Sequence, residues 1–150
     1  MDSVSYRIAQ LDDVENVFNY EFKKIEVPGN HEIENQILVW NSFFRKESLE
    51  HYFRLGWSFI AVGSDQQIKG FFMGQPLLFF DKQTQTLWVE YVSADSPEIF
   101  TELVDIAYRL SREKHFQRVL ISEEVRNQNL IKEFPFQKWD RTNLTLKTTK

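Results

Sequence analysis

Glu90 and Tyr91, a carboxylate and a phenol, are side chains whose types can take part in proton transfer, and both sit inside the β-rich run LWVEYV at 87–92 of this 150-residue chain. A carboxylate held beside apolar neighbours loses hydration, which raises its pKa toward the range of a useful general base. On a regular strand successive side chains point to opposite faces, so only one of the pair can face a cleft. The alternative places Glu90 on a solvent-facing position, paired with Lys82 or Arg118, with Tyr91 taking the inner side. Ser93 and Ser122 end β-rich runs with no histidine near them in sequence, and they read as polar strand ends rather than nucleophiles. His31, His51 and His115 are scattered without ligand spacing, so no metal is expected. The absence of cysteine removes disulfides, thiolate nucleophiles and cysteine-ligated metals.

The stretch that must position these groups is LWVEYVSADSPEIFTELVDIAYRL, residues 87–110. It reads as a buried strand, a short acidic turn and an amphipathic helix: Ser96 is the N-cap, Pro97 lies in the first turn, and Ile99, Leu103, Ile106, Ala107 and Leu110 recur at helical spacing. In an α/β sheet, ligands bind in the crevice beyond the carboxyl end of such a strand. Helix-start N–H groups favour anions there. The turn nevertheless carries Asp95 and Glu98, with Glu102 and Asp105 following, and contains no glycine.

Before this stretch, Tyr6 to Ala9 is a candidate strand, followed by a helix capped by an aspartate and carrying Val14, Val17, Phe18, Phe22 and Ile25 on one face. Pro28-Gly29-Asn30 centres a loop at 26–34. A second helical segment bears Ile37, Leu38, Trp40, Phe43 and Phe44, breaks near Lys46, and resumes through Leu49, Tyr52, Phe53 and Leu55 to a stop at Gly56. Residues 57–62 and 68–73 form a hairpin, and Pro76 makes 77–80 either a strand resumed after a bulge or a separate edge. Gln83 to Gln85 is a turn. After the central helix, 118–122 follows at the distance a parallel neighbour of 87–92 needs. A short helix at 127–134, closed by Pro135, and a closing strand at 139–148 complete the chain.

The length suits one domain burying about 70% of the surface of its unfolded chain. With 42% hydrophobic residues and 14 phenylalanines, that domain has a large aromatic core. A net charge of −4 and no basic stripe argue against nucleic acid as a partner. The opening MDSVSYRIAQ lacks a signal pattern, and no run approaches the roughly 20 apolar residues of a membrane span. The expectation is a cytoplasmic protein with no membrane partner, acting on a small molecule or a protein; a homodimer is left open.

The order strand, helix, helix, hairpin, strand, helix, strand, helix, strand resembles the GNAT superfamily of acyl-CoA-dependent N-acyltransferases over essentially the whole chain. SYRIAQLDD at 5–13 is similar to that family's opening strand and capped helix, and FIAVGSDQQIKGF at 59–71 to its hairpin. The family's late Asn-to-Tyr spacing falls on Asn127 and Phe134, ahead of Lys138-Trp139. The resemblance implies a single 1–150 domain of α/β (α+β) class, with a mixed, largely antiparallel sheet, a parallel central strand pair and helices on both faces. It implies acetyl-CoA or another acyl-CoA as donor and an amine as acceptor, with Glu90 as base and Tyr91 beside it. The donor would run past Val92, Ser93, Ala94, Ser96 and Asn127, pairing with backbone where the central strands splay. The acceptor would meet His31, Glu32, Glu34 and Trp40, an acidic and aromatic surface suited to a cationic amine; the same periodicity would also bury Trp40, Phe43 and Phe44 in the core.

Two departures from the family pattern bear on the chemistry. The glycine-bearing turn that cradles the coenzyme's pyrophosphate is replaced by 92–102 without glycine and with several carboxylates, so donor binding is expected to be weak. Phe134 stands where many members have a tyrosine that protonates the departing thiolate, and phenylalanine has no proton to give. The readings left are an active N-acyltransferase, a GNAT-fold binding or regulatory protein without catalysis, and an enzyme using the cleft for a less phosphorylated ligand.

Overall fold

The computed structural model describes residues 3–42, 44–78, 85–122, 132, 134–139, 144 and 146–148. Strand β1 (Val4–Ile8) leads through a 3-10 turn (Leu11–Asp13) into α1 (Val14–Ile25), followed by α2 (Glu32–Trp40) and α3 (Lys46–Leu55). Strands β2 (Phe59–Gly63), β3 (Ile68–Leu78) and β4 (Gln85–Ala94) come next, then α4 (Pro97–Glu113) and β5 (Arg118–Ile121). The described strands form one sheet in the order β1-β2-β3-β4-β5. All neighbours are antiparallel except β4 and β5, which run parallel with Thr86 opposite Arg118 and Val89 opposite Ile121. The 17-residue α4 supplies the crossover that a parallel pair requires.

Periodicity decides which helix covers which face. Val14, Val17, Leu49 and Phe53 from α1 and α3 bury against Ile60, Phe71, Met73 and Tyr91 on one side of the sheet. Phe100, Leu103, Val104 and Ala107 from α4 bury against Phe72, Leu87, Val89 and Val92 on the other. Gly70 permits the close approach of α4, since a Cβ there would lie 2.9 Å from the Ser93 carbonyl and 3.0 Å from Ile99. Helix α3 ends at Gly56 in the left-handed conformation, φ 79°, a backbone state open to glycine at no steric cost.

Several boundaries differ from the sequence expectation. The interruption between the two helical segments spans 41–45, and Lys46 opens the second helix instead of breaking the first. Trp40 is 68% exposed while Phe44 is buried, so the aromatic run does not enter the core as a block. Asp13 makes no side-chain cap on α1; its carboxylate accepts from the Gln10 N–H and from Arg7. Pro76 lies within β3, opposite Leu87, beyond the point where β2 stops pairing, so its missing N–H leaves no ladder bond unmade. Phe43, Lys82, the turn at 83–84, Asn127 and most of the 127–134 and 139–148 segments lie outside the described residues. No helix among the described residues is long and apolar enough to cross a membrane.

Candidate active site

A β-bulge in the central strand sets the geometry of the site. Met73 pairs with Tyr91 and Gly74 with Val89, so Glu90 is an extra residue with no opposite number on β3. The side-chain alternation changes phase there: Leu87 and Val89 point to the α4 side and so does Val92, whereas Trp88 and Tyr91 both join the α1–α3 side. Glu90 also faces α1–α3, where it accepts a hydrogen bond from the Trp88 indole and meets the Tyr52 hydroxyl of α3. The expectation that Glu90 and Tyr91 face opposite ways is therefore corrected, because strict alternation fails across a bulge. Opposite the bulge, Gly74 leaves room for the Trp57 carbonyl, which would lie 2.7 Å from an added Cβ.

Glu90 opens into a cavity of about 340 Å³ lined by Trp40, Asn41, Ser42, Arg45, Ser48 and Tyr52. Burial, and next the Glu90 carboxylate, push the Tyr52 phenol up to about 12, so it stays protonated and donates to the carboxylate at neutral pH. Arg118, one partner considered for Glu90, donates to the Thr86 hydroxyl at 2.9 Å. A second cavity, about 730 Å³, lies between α1, α2 and the start of α3, and Trp40 and Arg45 line both.

Tyr91 does not reach the cavity. Its hydroxyl donates at 2.7 Å to Glu21, a fully buried carboxylate on α1. Ser93 donates to the same carboxylate at 2.8 Å and accepts from Lys24 at 2.7 Å. Lys24 also donates to the Tyr20 hydroxyl at 2.9 Å, and Tyr20 donates to Asp95 at 2.7 Å. Burial and the Asp95 carboxylate raise the Tyr20 pKa strongly, so this phenol too remains a donor. The network ties α1 to the last turn of β4 through charges that are mutually hydrogen-bonded, the condition for burying them. Its signal in the sequence was Glu21, a charge at the i+4 position from Val17 on the buried stripe of α1.

The remaining expected residues are distributed unevenly. Val92 is buried toward α4, Ala94 pairs with Gly70, and Ser96 caps α4 by accepting the Ile99 N–H at 3.3 Å. Glu32 lines the larger cavity with Trp40; His31 and Glu34 are exposed and line neither cavity. Phe134 packs on the α4 side against Phe136, with ring centroids 6.0 Å apart, away from Glu90. The sequence reading missed Arg45, Ser42, Ser48 and Tyr52, whose common position appears only when α3 is laid across the bulge. No group of three metal-ligating side chains occurs among the described residues.

On the other side of β4 the parallel pairing ends early. The Ser122 N–H donates to the Val89 carbonyl at 3.3 Å, and no described strand pairs with 90–94 on that edge. Two of the four carboxylates noted near α4 share one cation: Arg109 binds Glu102 and Asp105, each at 2.7 Å, and cancels one of their two charges. Asp95 is held by Tyr20, which leaves Glu98 as the unpaired acid of the first turn among the described residues.

No family model matches the chain, and no curated protein matches it by sequence. Solved structures do match in fold. The aminoglycoside N-acetyltransferase AAC(6')-Iy, solved with coenzyme A, superposes with a TM-score of 0.68 at 14% identity, over 99% of this chain and 97% of that one. A GCN5-related N-acetyltransferase from Ralstonia eutropha gives 0.68 at 12% identity, over 96% of this chain and 99% of that one. A ribosomal-protein-alanine N-acetyltransferase from Brucella melitensis biovar Abortus gives 0.59 at 10%, over 98% and 99%. At these identities the likeness shows the fold: a five-stranded mixed sheet with helices on both faces, of the GNAT type.

Proposed function

We propose, from the GNAT fold shared with these acetyltransferases, that the chain is an acyl-CoA-dependent N-acyltransferase. The observation that carries this reading is the bulge at Glu90, which turns a half-buried carboxylate into a cavity at the level where β4 parts from β5. Bulges re-aim side chains in this way beside active sites. The acceptor amine would enter from the α2–α3 side and attack the thioester carbonyl carbon of the donor. The new C–N bond replaces the C–S bond, the amine proton passes to Glu90, and the sulfur leaves on the β5 side as the thiolate, which takes its proton from solvent. Trp88 and Tyr52 hold the Glu90 carboxylate toward the nitrogen, and the edge of 90–94, which no described strand covers, would offer backbone groups to an extended donor arm.

A second reading, a GNAT-fold binding protein without catalysis, is favoured by the start of α4. Pro97 has no N–H, the Ile99 N–H is taken by Ser96 Oγ, and the Phe100 N–H by the Ser96 carbonyl. Few donors remain there for a pyrophosphate, and Glu98 adds negative charge.

Calorimetric titration with acetyl-CoA and an assay of thiol release over a panel of amines test the proposal together. Glu90→Gln should leave donor affinity within about twofold and lower turnover by ~10²-fold or more, since it removes proton acceptance and keeps shape. Donor binding without thiol release for any amine would favour the second reading.

A further inference from the structure

We propose, resting on the acyltransferase reading, that the acceptor is a small zwitterion: an amine that carries its own carboxylate, of amino-acid size. The cavity at Glu90 contains two charged side chains of opposite sign, Glu90 on the strand and Arg45 at the entry to α3. Its other lining is Trp40, Tyr52, two serines and one asparagine, which supply apolar surface and neutral hydrogen-bonding groups. An ammonium group matches Glu90, and a carboxylate matches the planar fork of Arg45.

Arg45 is free to take that role. Its described ion pair is with Glu47 at 3.6 Å, both side chains well exposed. A pair of this kind is weak and easily exchanged for a better carboxylate. A simple amine would pair with Glu90 but leave the guanidinium without a carboxylate, and a polyamine would bring a second ammonium toward the guanidinium, with repulsion. The volume of about 340 Å³ is also at the small end of ligand pockets, so the acceptor fits as a whole molecule rather than as the tip of a large one.

The test compares free L-amino acids with their amides and with the corresponding decarboxylated amines, using acetyl-CoA as donor and thiol release as readout. The free acids should show kcat/KM at least about tenfold above their matched amides, the size of effect expected for a charge-assisted fork. In Arg45→Gln that ratio should fall toward one, mainly through KM, and Arg45→Lys should restore part of it. Amides or monoamines preferred over the acids, or a preference that survives Arg45→Gln, would overturn the inference. Binding of the same compounds without donor, followed by tryptophan fluorescence with Trp40→Phe as control, separates the two readings. Arg45-dependent binding of the acids without any thiol release would sustain the zwitterion site and refute acyl transfer. Thiol release with monoamines alone would do the opposite, and no binding of any acid would refute the zwitterion site.

Discussion

Glu21 is fully buried as a carboxylate, a placement that would be strongly unfavourable without the donors that converge on it. Tyr91 and Ser93 supply hydroxyl bonds, and Lys24 stands 3.6 Å away as the nearest described cation. Tyr91→Phe keeps the ring against Phe71 but withdraws one donor from the buried charge. Urea unfolding should show a loss of about 1–3 kcal/mol, the usual penalty for leaving a buried polar group short of a partner. A change below a few tenths would mean that the network does not support the fold. Asp13 behaves differently. Burial alone would raise its pKa, yet the Arg7 guanidinium at 2.8 Å and the Gln10 N–H hold it below the usual carboxylate value. A depressed folded-state pKa stabilises above the unfolded value, near 4, and the contribution disappears as pH falls through the lower folded value. Arg7→Gln should accordingly lower stability at pH 7, and the gap to the parent protein should close in acid unfolding curves as pH falls through the depressed folded-state value of Asp13.

At the scale of elements, α4 can lie on the sheet only because β3 presents Gly70 beneath it. Gly70→Val would press against the Ser93 carbonyl, Ile99 and Leu103 at once, and a main-chain atom cannot move aside cheaply. Overpacking of this type costs about 1–3 kcal/mol, so the midpoint of thermal unfolding should fall by several degrees. Full retention of stability would show that α4 can shift without penalty. The strands β1 to β5, the hairpin, the parallel pair and α4 were legible in the sequence, since each has its own period and punctuation. The bulge was not. Nothing in LWVEYV marks Glu90 as an extra residue, because a bulge is a property of two strands and its partner signal, Gly74, lies on β3. Glu90 was thus identifiable by type, while its direction and its neighbours Tyr52 and Arg45 depended on long-range packing that local patterns do not encode.

For the molecule as a whole, the question is whether an acidic protein can hold a polyphosphate donor at the start of α4. The sequence alone suggests that four carboxylates oppose it. In the folded chain Arg109 pairs with both Glu102 and Asp105 and cancels one of their two charges a turn or more along α4, while the neutral Tyr20 hydroxyl orients Asp95 without removing its charge, so the repulsion at the helix start itself comes from Asp95 and Glu98. One like-charge pair about 6 Å apart at an effective dielectric near 20 amounts to roughly 3 kcal/mol before screening, and an exposed site in salt retains only a fraction of that. Glu98→Gln should therefore tighten acetyl-CoA binding by about three- to tenfold at low salt. Asp95→Asn should tighten it as well, because the neutral Tyr20 hydroxyl orients that carboxylate without cancelling its charge. Glu102→Gln should leave affinity almost unaltered. Since screening weakens repulsion, raising salt should tighten binding to the parent protein and erase the advantage of Glu98→Gln. Calorimetry across this set reads the charge at the helix start directly. Equal effects from Glu98 and Glu102 would mean that the net charge of −4 acts as a diffuse field and that no local contact with the phosphates exists. An affinity that weakens with salt would instead require a basic contact from residues other than these, and the donor would have to enter by a different edge of the sheet.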